Sequence, residues 1–380
     1  MSHLLVFSND PLSAYVAKGE IKERYFNPES CFDKVTICTP CDHDIDPEEV
    51  QGIVGDAELR VVPIGSMKTI KRLCTIPRQV NRVLHIVQSL SPDVIRAYNP
   101  RFEGLFATLS ARVLGVPSVI SLHGDFSRKR LFQVEGWSCV KSLVYSAIFR
   151  VYTERQSYSE ADVVIGAYKF PLRYFHGLPY RRREVIYNRV YAPSETQGSK
   201  NKEFTIISVG RHILGKDPRN LIRAICGTSF RLILIGQGPL TEASQVLAKK
   251  HRVMSQVDFI PSVPNRDIYS WYQKAHVFAM SMLYGGVSIP MLEAMACKLP
   301  LVLARPLWET VPEVIGKDCL LVDDTPESFQ KAFRKLAKDP ALCRNMGERA
   351  WARYWPIRGE VMERKEAELY RGLLKNKVLR

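Results

Sequence analysis

The stretch with the clearest chemistry is Val209-Gly-Arg-His-Ile-Leu-Gly-Lys-Asp217. It begins where an apolar, β-rich run ends and it leads into a helical pattern. In open α/β sheets ligands bind at such carboxyl strand ends. Arg211 and Lys216 stand five residues apart across this turn. One offers a planar fork and the other a point charge, so the two can converge on a single diphosphate. The plain alternative is a pair of solvated cations. A second stretch runs Tyr284-Gly-Gly-Val-Ser-Ile-Pro-Met-Leu-Glu-Ala-Met-Ala-Cys-Lys-Leu-Pro300. Its glycines let backbone amides approach a ligand, and Pro290 suits the first turn of a helix. Glu293 is expected in that first turn, where the helix dipole stabilises a carboxylate able to accept both hydroxyls of a ribose. A satisfied structural carboxylate is the alternative.

Three further patterns carry less. Ile235-Gly-Gln-Gly-Pro239 follows a strand and precedes a helix, but Thr241 stands at the third glycine position of a dinucleotide fingerprint. Glycines that merely permit a tight turn explain it. Cys38 and Cys41, with His43 beside them, have metal-like spacing, yet no second Cys/His pair completes a zinc site. They read as incidental thiols. Asp42 and Asp44 can in principle hold a metal against a diphosphate. The run from Asp42 to Glu49 reads better as a solvated loop, and no metal is expected.

The elements that position these residues follow from an alternation of short apolar β-rich runs with helical patterns, the signal for parallel sheets covered by helices. Strands are expected at 4–7, 34–38, 59–62, 93–96, 118–122, 162–165 and 184–187, with helices over 68–89 and 104–114. A polar stretch, Tyr191–Lys202, reads as a linker. Six more strands follow at 204–209, 231–235, 257–260, 277–280, 301–304 and 319–322. The last stretch, 342–374, is helical and broken at Pro356. The chain has 380 residues, enough for two domains. The physical reading is α/β, with two parallel-sheet domains in tandem and a cleft between them.

The composition, 46% hydrophobic and 24% charged, is that of a globular protein. No run of eighteen apolar residues occurs, so a spanning helix is not expected. The N-terminus reads as an opening strand and not a signal peptide. Nine scattered cysteines suit a reduced, cytoplasmic setting. The net charge is +15 and unevenly placed: residues 1–59 carry −8, 60–190 carry +13 and 191–380 carry +10. This suggests anionic partners: phosphates, nucleic acid or an acidic membrane surface. Lys68, Lys71, Arg72, Arg128–Arg130 and Arg181–Arg183 make up much of the basic middle. The helical stripe Trp137, Val140, Val144, Ile148 and Val151 reads as a core helix, although beside such cations it can also rest on anionic lipid. Aromatic-interleaved basic motifs of a nucleic-acid module are lacking, so no nucleic acid is expected.

These motifs together resemble the family-4 glycosyltransferases of the GT-B fold, across roughly residues 204–337. Their pattern runs strand–Gly-Arg-x4-Lys, strand–Gly-x-Gly-Pro, and a Glu-x7-Glu motif ending Leu-Glu-Ala-Met-Ala-x-Gly-x-Pro. The resemblance implies two Rossmann-like domains, an acceptor-side one over 1–190 and a nucleotide-sugar-binding one over 204–357. They are joined by a linker over 191–203, and a C-terminal helix over about 358–380 packs back on the first. It implies that Arg211 and Lys216 bind the donor diphosphate and that Glu293 binds the ribose. Gly286, Val287 and Ser288 match the loop whose amides hold the donor sugar, and Ile260 lies in the segment whose backbone reads the base. His123, in Val119-Ile-Ser-Leu-His-Gly124, resembles the active-site histidine. Val185-Ile-Tyr-Asn-Arg-Val190 resembles the turn that enters the linker.

Three positions depart from the pattern. Gly285 replaces the first glutamate, so a carboxylate contact to the donor sugar is absent or supplied elsewhere. Ser8–Ser13 replaces a Gly-Gly loop, and Lys298 replaces a glycine. The expected activity is that of a retaining, metal-independent glycosyltransferase using a UDP- or GDP-type sugar, with no cofactor. Arg211, Lys216 and nearby helix N-terminal amides would stabilise the departing diphosphate. The acceptor would be a glycan or lipid-linked precursor, met in the cytoplasm at the inner face of the membrane. A sugar-nucleotide epimerase of the same fold is the near rival. A nucleic-acid-binding protein or a non-catalytic scaffold is the rival from another class.

Overall fold

The computed structural model describes residues 1–17, 19–65, 76–123, 153–169, 181–193, 199–283, 286–306 and 319–377. They fall into two compact units. One gathers the described residues of 1–187 and those from Met362 onward; the other gathers those of Asn188–Val361.

The first unit is built on a seven-stranded, all-parallel sheet of order β3-β2-β1-β4-β5-β6-β7. Its strands are β1 (His3–Phe7), β2 (Lys34–Thr39), β3 (Glu58–Pro63), β4 (Val94–Ala97), β5 (Ser118–Leu122), β6 (Val163–Gly166) and β7 (Arg183–Val185). The central strands are buried on both faces, and for that reason they read as unbroken apolar runs rather than alternations. Helices α1 (Leu12–Ala17), α2 (Ile76–Leu90) and α3 (Phe102–Leu114) connect them. Val83, Val87 and Leu90 of α2 meet Phe102 and Phe106 of α3 in one core. Gly115, at φ 68°, ends α3 in a left-handed turn.

The second unit is built on a six-stranded parallel sheet of order β10-β9-β8-β11-β12-β13. The strands are β8 (Thr205–Val209), β9 (Arg231–Ile235), β10 (Val257–Ile260), β11 (Val277–Met280), β12 (Leu301–Ala304) and β13 (Cys319–Val322). The helices are α4 (Arg219–Ala224), α5 (Thr241–Lys250), α6 (Ile268–Lys274), α7 (Ile289–Ala296), α8 (Pro326–Lys338) and α9 (Pro340–Tyr354). In α8, Thr325 caps the Ser328 N–H, and Phe329, Phe333 and Leu336 bury one face at helical spacing. A short 3-10 turn over Trp355–Ile357 follows α9, and α10 (Gly359–Lys377) then begins in this unit and runs into the first.

Two expectations need correction. Asp44 is not part of a solvated loop. Its carboxylate accepts the Leu12 and Ser13 N–H groups at 2.8 and 3.0 Å and the Ile45 N–H at 2.9 Å, so it caps the start of α1. Burial pushes this acid up, but the three donors prevail and hold it below its ordinary value. The basic stretch 181–183 is also partly neutralised, because Arg181 pairs with Asp162 at 2.9 Å and Arg182 with Glu184 at 3.0 Å. The cations at 68, 71, 72 and 128–130, and the stripe from 137 to 151, lie outside the described residues. Cys38 is buried in β2 and its thiol is pushed up to about 12, the state of an inert core thiol.

Candidate functional site

In each sheet the strand order reverses once, between β1 and β4 and between β8 and β11. Such reversals open a crevice at the carboxyl ends of the strands. At the second reversal lies a shallow, open concavity lined by residues 208–212 and 216–218 with Leu221, Met280 and Ser281. Arg211 and Lys216 share it.

Backbone packing builds this place. Gly210, Gly236 and Gly238 do more than permit tight turns. A Cβ on Gly236 would lie 2.1 Å from the Gly210 carbonyl oxygen, and one on Gly238 would lie 2.5 Å from that of His212. Gly236 also has φ +131°, so only glycine fits there without strain. The loop after β9 is thereby pressed on the loop after β8, with Gly210 N donating to Ile235 O and Leu240 N to His212 O. A tight turn, in which Lys216 N donates to Ile213 O at 2.8 Å, brings Lys216 back beside Arg211.

Charge at the crevice is set by what is already paired. Asp217 is held by the Arg219 guanidinium at 2.9 Å, and its Oδ1 also accepts the Arg219 N–H at 3.0 Å. The first N–H of α4 is therefore taken by Asp217. Arg211 is exposed and has no carboxylate partner among the described residues. Arg211 and Lys216 bring positive charge to the crevice. His212, missed as a lining residue in the sequence, is 3% exposed and shares a 2.9 Å hydrogen bond with Thr241 Oγ1 through Nδ1. Burial holds its imidazole below the usual value despite Asp217, so it is biased towards the neutral form. Ser281, also missed, donates to Asp324 Oδ2 at 2.9 Å and so fixes the exit of β11.

Glu293 is not in the first turn of its helix. Ser288 is the N-cap, its Oγ accepting Met291 N–H at 3.3 Å, and Ile289 and Pro290 begin α7, so Glu293 lies one turn further in. It is 5% exposed, and its Oε2 accepts the Tyr272 hydroxyl at 2.9 Å. Tyr272 is fully buried on α6, and burial together with this carboxylate pushes its phenol well above the usual range. Val287 is buried, and Gly286, Val287 and Ser288 lead into α7. Ile260 ends the edge strand β10 and its carbonyl accepts Gly236 N–H at 2.8 Å. None of Glu293, Ile260 or Gly286–Ser288 lines the concavity that Arg211 and Lys216 share. Gly285 lies outside the described residues. Lys298 takes the left-handed φ of 55° that a glycine would adopt freely. Its carbonyl packs against Gly347, where a Cβ would come within 2.0 Å.

His123 follows β5 in the first unit and is exposed. Its ring stacks on Tyr98, with centroids 5.4 Å apart and planes 15° apart. Among the described residues no three His, Cys, Asp or Glu side chains are placed to hold a metal ion, and no helix is long and apolar enough to cross a membrane.

Two α/β units with parallel sheets, the second carrying a cationic crevice at its strand reversal, leave the class open, and comparison makes it specific. Residues 29–189 match the glycosyl transferase 4-like domain, and residues 193–353 match the glycosyl transferases group 1 family. The chain belongs to this glycosyltransferase family and has the GT-B fold. The putative glycosyltransferase EpsF of Bacillus subtilis is 24% identical over 57% of this chain and 58% of its own length. The GDP-mannose-dependent alpha-(1-6)-phosphatidylinositol monomannoside mannosyltransferase of Mycolicibacterium smegmatis is 30% identical over 40% of this chain and 43% of its own. The matched regions thus span about half the length of these relatives. Anabaena HepE in complex with UDP superimposes with a TM-score of 0.72 over 98% of this chain and 100% of its own, at 15% identity. HepE also has a structure with UDP-glucose.

Proposed function

We propose that this chain is a retaining glycosyltransferase that moves a sugar from a nucleoside-diphosphate donor of UDP or GDP type to a glycan or lipid-linked acceptor, without a metal. The observation that carries the reading is the crevice between β8 and β11, where Arg211 and Lys216 share one concavity and the neighbouring acid is already neutralised. As the bond from sugar C1 to the β-phosphate oxygen breaks, its electron pair goes to that oxygen. Two cations can stabilise the charge that develops there, and they are worth most where water is excluded. The acceptor hydroxyl oxygen bonds to C1 as the diphosphate leaves, and its proton passes to the departing diphosphate oxygen. In this reading Glu293 accepts the ribose hydroxyls, Gly286–Ser288 offer backbone to the donor sugar and Ile260 borders the base. His123 positions the sugar.

Donor and acceptor classes draw support from relatives. HepE is seen with UDP and with UDP-glucose, and one sequence relative is named for GDP-mannose and a phosphatidylinositol glycolipid. The +13 charge of residues 60–190 suits capture of a lipid-linked acceptor at an anionic inner-membrane surface. The test is turnover of a panel of UDP- and GDP-sugars with lipid extracts, in excess chelator, read as released nucleoside diphosphate. Activity should persist in chelator, and Arg211→Ala or Lys216→Ala should lower it about 100-fold. Near-normal turnover in either variant would defeat the reading.

A further inference from the structure

We propose that Tyr98 is a positioning residue that orients the His123 imidazole, and that Arg96 with Glu366 and Tyr370 of the C-terminal helix holds Tyr98 in place. The inference rests on the reading that His123 positions the donor sugar. Strands β4 and β5 are parallel neighbours, so the residues leaving their carboxyl ends lie side by side. Tyr98 is the first residue past β4, and His123 the first past β5. Their near-parallel rings, 5.4 Å apart, are in the offset-stacked range that aromatic pairs favour.

Tyr98 can act as a platform because it is itself held. It is 7% exposed, Phe26 meets it edge-on at 5.2 Å and 90°, and Tyr25 stacks on it at 5.7 Å. The Arg96 guanidinium carbon lies 4.4 Å from the centre of its ring. Arg96 is 4% exposed, and its Nη1 donates to Glu366 and to Tyr370, both on α10. Its Nη2 donates to Ser121 Oγ at 2.8 Å. Ser121 is two residues before His123, so the strand that presents the histidine is tied to the same guanidinium. A buried Arg held at both Nη atoms has little freedom, even with its Nε unbonded, and neither has the ring against it. His123 is exposed and follows the last residue of its strand, where an imidazole has several staggered orientations open to it. The stack selects among them. A misplacement of about 1 Å at a reacting centre can cost about 100-fold in rate, so such a support matters to turnover.

The test compares Tyr98→Leu, which removes the ring, with Tyr98→Phe, which keeps it. Both are set beside His123→Ala and the double variant, using turnover of a UDP-sugar, UDP affinity and the NMR signals of the His123 ring protons. The ring protons should lie upfield in the wild type and in Tyr98→Phe, through the ring current of residue 98, and should move downfield in Tyr98→Leu. Tyr98→Leu should lower kcat about 10-fold with KM and UDP affinity within about twofold, Tyr98→Phe should restore kcat, and the double variant should be no slower than His123→Ala. Additive losses in the double variant, or a loss of kcat without movement of the His123 signals, would overturn the proposal. So would normal kcat in Tyr98→Leu when His123→Ala is slow. Normal kcat in His123→Ala would instead locate the failure in the role given to His123. If Tyr98→Leu does not fold, a cross-relaxation signal between the two rings in the wild type decides, and its absence overturns the stack.

Discussion

The two units reverse their strand order at equivalent places and furnish those places oppositely. After β1 the chain runs Ser8-Asn9-Asp10 without a cation, and the carboxylate of Asp44 fills the start of α1. After β8 it runs Gly210-Arg211-His212, and Lys216 returns to the same concavity. Here too an aspartate caps the following helix, since Asp217 accepts the first N–H of α4, but Arg219 pairs with its charge. One reversal is left acidic and self-occupied, and the other cationic and open. The same topology thus gives a cationic crevice at one reversal and not at the other among the described residues, and side-chain charge rather than strand order makes the difference.

The largest expected effect comes from breaking the second reversal. Gly236→Ala puts a methyl 2.1 Å from the Gly210 carbonyl oxygen at a φ of +131°. The loops must part, so stability should fall by more than about 3 kcal/mol and UDP binding should be lost. Urea unfolding and calorimetry check both, and an unchanged midpoint would show that the contact relaxes freely.

Breaking the first reversal should do less. Asp44→Ala removes the cap of α1 and should cost about 1 kcal/mol, with UDP affinity unchanged. Because the native acid sits below its ordinary value, its stabilisation is full at neutral pH and is lost as pH falls through that depressed value. The urea midpoint of Asp44→Ala should therefore converge on the wild type in strong acid. A constant gap would contradict the cap.

The smallest effect sharpens the contrast between units. Burial holds His3 in the first unit, and His212 and His276 in the second, below the usual histidine value. The unfolded chain takes up protons on these groups at a higher pH than the folded one. Stability should therefore fall as pH drops through about 6.5. The urea midpoint should be lower at pH 5.5 than at pH 7.5, and His276→Gln should narrow the difference. No change between the two pH values would rule out buried neutral histidines.

The thirteen strands of the described residues were legible in the sequence, to within a residue or two, most of them because they are short apolar runs; the edge strands β3 and β7 are more polar and partly exposed. Arg211 and Lys216 were legible because one loop carries both. Asp44 was misread because the N–H groups it caps lie 31 and 32 residues earlier, where local pattern says nothing of contact. Glu293 was placed a turn too early because Pro290 marks the helix start only to within a position or two, and Tyr272, which holds it, comes from another helix. The support of His123 was hidden for the same reason, since Arg96 and Glu366 are 270 residues apart.

The central claim is that the second reversal, and not the first, holds the donor diphosphate. Calorimetric titration with UDP and GDP of the wild type, Arg211→Ala and Asp44→Ala tests it most directly. At least one nucleotide should bind the wild type and Asp44→Ala equally, and its affinity should fall at least about 10-fold in Arg211→Ala. Equal affinity in the wild type and Arg211→Ala, or loss of binding in Asp44→Ala alone, would contradict the account.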